Sequence, residues 1–133
     1  MEKILLFLFL ITTSFACKTT QNMNSSAKII THAIRLKPGE DVIEKIEQYT
    51  AQNNIAAGWL ITCAGSLTDY NIRFANEEKG SLGKRHFENV GLTGTTSKNG
   101  SHLLISIGDI TGKTIGGHLL KGCIDYTTAE RII

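Results

Sequence analysis

The sequence has little of what would commit it to one chemistry. Its 133 residues include one proline, three cysteines and 7% aromatic residues. Fourteen Lys and Arg against twelve Asp and Glu leave a net charge of +2. The cations are scattered, and the close pair Lys84-Arg85 sits beside Glu77, Glu78 and Glu88. That balance lacks the clustered basic face that phosphate-backbone binding demands. Cys17, Cys63 and Cys123 form no C-x-x-C pattern, which argues against dithiol redox catalysis. The apolar run ILLFLFLI at 4–11 has eight residues, where a membrane-spanning helix needs roughly 20. With 41% hydrophobic and 20% charged residues, the composition is that of one ordinary globular domain.

What is present begins with an address. Met1-Glu2-Lys3, the apolar run and the small residues TTSFA read as a secretory signal over residues 1–16. Ser14-Phe15-Ala16-Cys17 resembles a bacterial lipoprotein signal, with Ser14 where leucine is usual, so Cys17 is the expected lipidation site. Simple cleavage that leaves a free Cys17 is the alternative. Several acyl chains would anchor the protein stably where one chain binds only marginally. The polar stretch KTTQNMNSSA completes a tether over 17–27, with a reach of about 33 Å when extended. Removing 1–16 takes away one Glu and one Lys, so the charge stays +2.

The domain is expected over 28–133. KIITHAIRL at 28–36 alternates as a strand. Lys37-Pro38-Gly39 breaks it, and Glu40-Asp41 opens a helix with acids in its first turn. Val42, Ile43, Ile46 and Tyr49 form its apolar stripe, and it runs to about Gln52. AAGWLITCAG at 56–65 predicts one strand buried on both faces, with Trp59 in the core. LTDYNIRFA at 67–75 predicts the next strand, with Phe74 also in the core, and NEEKGSLGK predicts a polar loop. HFENVGLTGTTS at 86–97 reads as a bent or bulged strand, weakened by Gly91 and Gly94. LLISI at 103–107, TIGGHLL at 114–120 and a last stretch near 126–133 complete one helix and about seven strands, an α+β domain on a largely antiparallel sheet.

GDITGKT at 108–114 invites comparison with a phosphate-binding loop, which needs G-x-x-x-x-G-K-[ST] followed by a helix. Here three residues separate Gly108 from Gly112, and the β-branched, glycine-rich TIGGHLL follows. The stretch therefore predicts a β-hairpin with Gly112 supplying positive φ. Such a hairpin brings His102 and His118 to comparable heights on facing strands. Paired imidazoles are a common start of a zinc site, which then needs a third protein ligand. Leu104 shares the face of His102 and cannot ligate, so two hydrogen-bonded sheet histidines are the competing reading. Ser66 and Ser106 have no readable activating neighbour. Glu40-Asp41 and Glu77-Glu78 read as a helix start and a solvated loop. Cys63 and Cys123 sit in apolar surroundings that suit buried thiols, with a disulfide as the alternative in an oxidising compartment.

RLKPGEDVIEKI, AGWLITCAGSLTDYNIRFAN, HFENVGLTGT, HLLISIGDITGKTIGGHLLKGC and YTTAERII occur in an order that resembles the PPC domain, the plant- and prokaryote-conserved domain. Gly65-Ser66-Leu67 and Gly116-Gly117-His118-Leu119 are the most specific steps. The resemblance covers about 28–133. It implies an antiparallel sheet with flanking helices, assembled as a homotrimer. Plant members carry AT-hooks that make most of the DNA contact. This sequence has no Arg-Gly-Arg hook, so nucleic acid is an unlikely partner by analogy alone. Many bacterial members hold an H-x-H-I-S segment followed by G-G-H, a trio able to bind metal; His102 and His118 match it, and Leu104 departs from it. The family pattern also carries a closing strand after the T-T-A-E segment. The expectation is therefore an exported, lipid-anchored homotrimeric binding module for a small molecule or protein, with a zinc-dependent enzyme or sensor as the alternative and DNA binding last.

Overall fold

The computed structural model describes residues 28–133. The signal, the tether and Cys17 lie outside the described residues.

β1 (Ala33–Leu36) leads through the Lys37–Glu40 turn into α1 (Val42–Gln52). Asp41 caps the helix from an extended conformation, its Oδ1 accepting from the backbone N–H of Ile43 at 3.0 Å and of Glu44 at 3.1 Å. Its Oδ2 accepts from Gly122 N at 2.6 Å, which ties the helix start to a distant loop. Such a cap is worth about 1 kcal/mol. The apolar stripe lies where the sequence places it: Val42, Ile43 and Ile46 are buried, and Tyr49 packs against the core. Thr50 joins them, donating to Ile46 O and meeting Thr96 Oγ1 at 3.1 Å.

Nine strands, more than the seven expected, complete the described residues with this single helix: β2 (Gly58–Leu60), β3 (Thr62–Ala64), β4 (Ser66–Arg73), β5 (Ser81–Ser97), β6 (Gly100–Gly108), β7 (Thr114–Leu119), β8 (Ile124–Asp125) and β9 (Ala129–Ile132). Four expectations are corrected. The run at 56–65 is two strands, because the chain changes sheets at Ile61: β2 pairs with β5 and β3 with β9. Leu60 faces inward with no exposure, so alternation turns Trp59 (64% exposed) and Ile61 (63%) outward. Trp59 is therefore a surface residue, while Phe74 packs half-buried against the core. Ser81–Lys84, expected in a loop, is drawn into β5 by pairing with β4 (Ile72↔Ser81, Asn71↔Leu82). The first strand is shorter than read, and Ile29 and Ile30 are exposed.

β5 determines the architecture. Its first half pairs with β4 and its second half with β6, and a register shift between Asn89 and Gly91 bends it between the two. β6 pairs with β7, and β7 returns to β4 through Ile72↔Leu119 and Arg73↔His118. β4, β5, β6 and β7 thus close a small antiparallel barrel, with β2 and β8 as extensions. A three-stranded sheet, β1-β9-β3, with β9 in the middle, stands beside it. Leu36, Ile46, Leu60, Leu67, Leu103 and Leu119 lie in the shared core with almost no exposure. Each is worth about 1.5–3 kcal/mol of burial.

The Gly-Gly step of β7 has a geometric cause. A Cβ on Gly117 would stand 2.6 Å from Arg73 O and 2.9 Å from Ile72 Cγ2, and one on Gly116 would stand 2.9 Å from Ile105 O. β7 is squeezed between β4 and β6 where the barrel closes, and only glycine fits there.

Candidate functional site

The β6–β7 connection is a hairpin and not a phosphate loop. Asp109 Oδ1 accepts from Thr111 N at 2.8 Å, Thr111 Oγ1 at 2.6 Å and Lys113 N at 3.1 Å, and Gly112 takes φ +82°. The hydrogen bonds to Thr111 hold the Asp109 carboxyl below its ordinary pKa. The Thr111 and Lys113 amides of the loop are thus already bonded to the Asp109 carboxylate.

That hairpin brings the expected imidazole pair together. Leu104 stands directly opposite His118, and His102 lies two residues along the same face of β6, opposite Thr95 of β5. The two rings meet with centroids 4.7 Å apart and planes tilted by 45°. His102 is exposed and His118 half-buried. Burial, then Arg73 across the strand pair, then His102 push the His118 pKa below its usual value. That shift favours the neutral imidazole, the form that can donate a lone pair.

The pair is two-thirds of a metal set. The position between them belongs to Leu104, and among the described residues no three His, Cys, Asp or Glu side chains converge on one point. His32, a candidate to complete the set, is engaged elsewhere: its Nδ1 is 2.9 Å from Tyr49 Oη and the rings meet edge-on. His86 stacks on Tyr126 at 4.0 Å. Ser66 Oγ is bonded to Thr127 Oγ1 rather than to a base. Glu40 accepts from Lys37 N and pairs with Lys45, interactions that suit a turn clamp and not a general acid.

Two features escaped sequence reasoning. Trp59, Ile61, Val90 and Leu104 are large, apolar and 48–64% exposed. Ile61, Val90 and Leu104 border a cavity of about 300 Å³ that also reaches Cys63. The outward alternation of Trp59 and Ile61 was the available signal, hidden by reading 56–65 as one doubly buried strand. The other feature is a buried ion pair. Arg131 Nη2 lies 3.2 Å from Asp125 Oδ1, both side chains fully enclosed. Burial raises the Asp125 pKa, and Arg131 offsets part of the rise. Both described cysteines are free thiols. Burial pushes Cys63 up and Cys123 up to about 11, so neither is an activated nucleophile.

Comparison with known proteins agrees with this geometry. A family model for the Plants and Prokaryotes Conserved domain matches residues 23–133. Over 102 residues, 77% of the chain, the sequence is 34% identical to the bifunctional protein GlmU of Synechococcus sp. (strain JA-3-3Ab), a match that spans only 16% of that protein. A hypothetical protein from Salmonella cholerae-suis has the same fold with a TM-score of 0.79 and 34% identity, over 81% of this chain and 78% of that one. A protein from Archaeoglobus fulgidus described as metal-containing superimposes with a TM-score of 0.64 at 21% identity, over 77% of each chain.

Proposed function

The chain belongs to the Plants and Prokaryotes Conserved domain family, and on that footing we propose that it is an exported, lipid-anchored homotrimer that works as a binding module. The observation that carries this reading is the exposed apolar strip of Trp59, Ile61, Val90 and Leu104. Contiguous apolar surface of this kind marks an interaction site. The strip borders the cavity and the β6 face that holds His102 and Leu104. A ring of copies joined along it would cover the apolar side chains and place any ligand near subunit junctions.

Light scattering on the purified protein is expected to give the mass of three copies. Changing Ile61 and Val90 together to Asp is expected to give a single copy with an unchanged circular dichroism spectrum, since both side chains face outward. A parent protein that runs as a monomer would sink the assembly. The anchor is checked separately: Cys17→Ser is expected to move the protein from the membrane fraction to the soluble one. An unchanged distribution would remove the lipid.

A second reading, a zinc-dependent enzyme or sensor, is favoured by the 4.7 Å meeting of His102 and His118 and by the burial that lowers the His118 pKa toward the ligating form. Two imidazoles make an incomplete set for zinc, which takes at least three protein ligands even in open catalytic sites. A neighbouring copy would have to supply the third. DNA binding has the least support, because a net charge of +2 offers little counterion release.

A further inference from the structure

We propose that the open end of the β4–β7 barrel is a binding site for a small amphiphilic anion, an apolar ring or short chain carrying one carboxylate or phosphate group. The site is independent of the assembly, the anchor and the histidine pair. A cavity of about 250 Å³ opens there, with contributions from all four strands of the closed ring and from the β6–β7 hairpin. It has space for on the order of ten non-hydrogen atoms. Mouths of small barrels are recurrent ligand sites because closure gives them rigid walls.

The floor is apolar. Ile107 is fully buried, Phe87 is 8% exposed, and Tyr70 stands edge-on to Phe87 at 5.1 Å. Gly83 makes that wall possible, since a Cβ there would collide with the Tyr70 ring. The rim is cationic, with Lys84, Arg85 and Lys113. The charges around it are already sorted. Lys84 is held by Asp69 at 3.4 Å. The Asp109 carboxylate is turned back into its own hairpin, where three donors occupy Oδ1. Arg85 and Lys113 form no ion pair among the described residues, although Arg85 stands near enough to Asp109, which also lines the cavity, to help hold its carboxyl ionised. The Lys113 backbone is fixed by its N–H bond to Asp109, so part of the ordering cost of binding is met in advance.

An apolar floor under two unpaired cations selects for both halves of its ligand. Inorganic phosphate would leave the partly exposed Tyr70 and Ile115 side of the cavity in contact with water, and a neutral hydrocarbon would leave Arg85 and Lys113 without an ion-pair partner. Arg85 offers a planar fork suited to either head group. The residues that resembled a phosphate loop in sequence would then meet an anion through side chains and not through backbone amides.

The test is a titration followed in ¹H–¹⁵N correlation spectra, with phenyl phosphate, inorganic phosphate and phosphatidylglycerol vesicles as separate arms. Phenyl phosphate is expected to shift the amides of Gly83, Ile107 and Lys113 saturably, with Kd on the order of millimolar or below. Arg85→Gln and Lys113→Gln are each expected to weaken it about tenfold or more while leaving the rest of the spectrum in place. Four results would overturn the site: no shift with phenyl phosphate, undiminished binding by both variants, inorganic phosphate binding as tightly, or a response to vesicles alone. The last would assign the cations to a lipid surface.

Discussion

Leu104→His is expected to tighten zinc binding about 100-fold or more. The substitution supplies the donor that the existing pair lacks, at the point where the sheet has prepared for it. Position 104 is directly across from His118 and two residues from His102 on one face. Directly opposite side chains, as at 104 and 118, have Cβ atoms about 4.5–5.5 Å apart, and the diagonal pair 102 and 118 about 7–8 Å, so three imidazoles would line one patch of sheet. Structural zinc sites with four ligands are worth about 10–16 kcal/mol, or roughly 2.5–4 kcal/mol per ligand, which corresponds to about 10²–10³ in affinity. Competition against a chromophoric chelator reads the change directly. Leu104→Ser removes the same apolar contact without adding a donor and is expected to gain nothing. Adding His118→Ala to Leu104→His should return the affinity toward that of the parent. A triple-imidazole patch that bound no tighter than the pair would mean that the rings cannot turn toward a common centre. The expected affinity falls in acid, because each imidazole must shed its proton to ligate; His118, already pushed toward the neutral form by burial, gives up least.

Leu104 also faces the apolar strip, so the same substitution reports on the assembly. If Leu104 is covered by a neighbouring copy, replacing it with histidine weakens that contact when zinc is removed and restores it when zinc is added. Mass measurements with and without the metal separate the two roles of one side chain.

Local signals made much of this legible. Glu40-Asp41 ahead of Val42, Ile43 and Ile46 marks the helix start and the buried stripe, because a helix writes its face at a spacing the chain can show; Asp41 proves to be the cap rather than a first-turn acid, a place that Glu44 takes. The β6–β7 hairpin could be read for the same reason: its loop is five residues with a positive-φ glycine, and its arms bring the two histidines together, though two residues out of register. What stayed hidden is long-range. Nothing in Ser81-Leu82-Gly83-Lys84 marks a strand; β4 makes it one, and so closes the barrel. Trp59 was read as core because its neighbours are apolar, yet the change of sheet at Ile61 turns it to the surface. The barrel mouth could not be anticipated either, since Arg85, Lys113 and Phe87 belong to it only once four strands have met.

Arg131 is the clearest residue of that hidden kind, and Arg131→Met is expected to cost about 3–5 kcal/mol at neutral pH. In sequence Arg131 is one charge in a terminal AERII. In the fold it sits in β9 between β1 and β3, 1% exposed, against Asp125 of β8. β8 pairs with β4 of the barrel, so this ion pair is one of the links between the three-stranded sheet and the barrel, beside the shared core and the Asn89–Cys63 contact. Methionine keeps most of the volume, and the loss therefore measures the carboxylate left without its counter-charge. The pair is incompletely satisfied, with Asp125 Oδ2 and Arg131 Nε lacking hydrogen-bond partners. Its desolvation is thus under-compensated, and Arg131→Met combined with Asp125→Leu is expected to recover most of the stability. The pH dependence has a definite sign. Burial raises the Asp125 carboxyl above its ordinary value, and removing Arg131 takes away the main opposing influence. The folded variant then takes up a proton more readily than the unfolded chain does, so acidification through the window above the ordinary carboxyl pKa relieves the defect. Urea midpoints are expected to separate parent and Arg131→Met most at neutral pH and least in acid. A gap that does not close with acid would show that the lost stability is packing rather than charge. No gap at neutral pH would mean that the parent already holds Asp125 protonated, so that the sheets are fastened by a hydrogen bond and not by an ion pair.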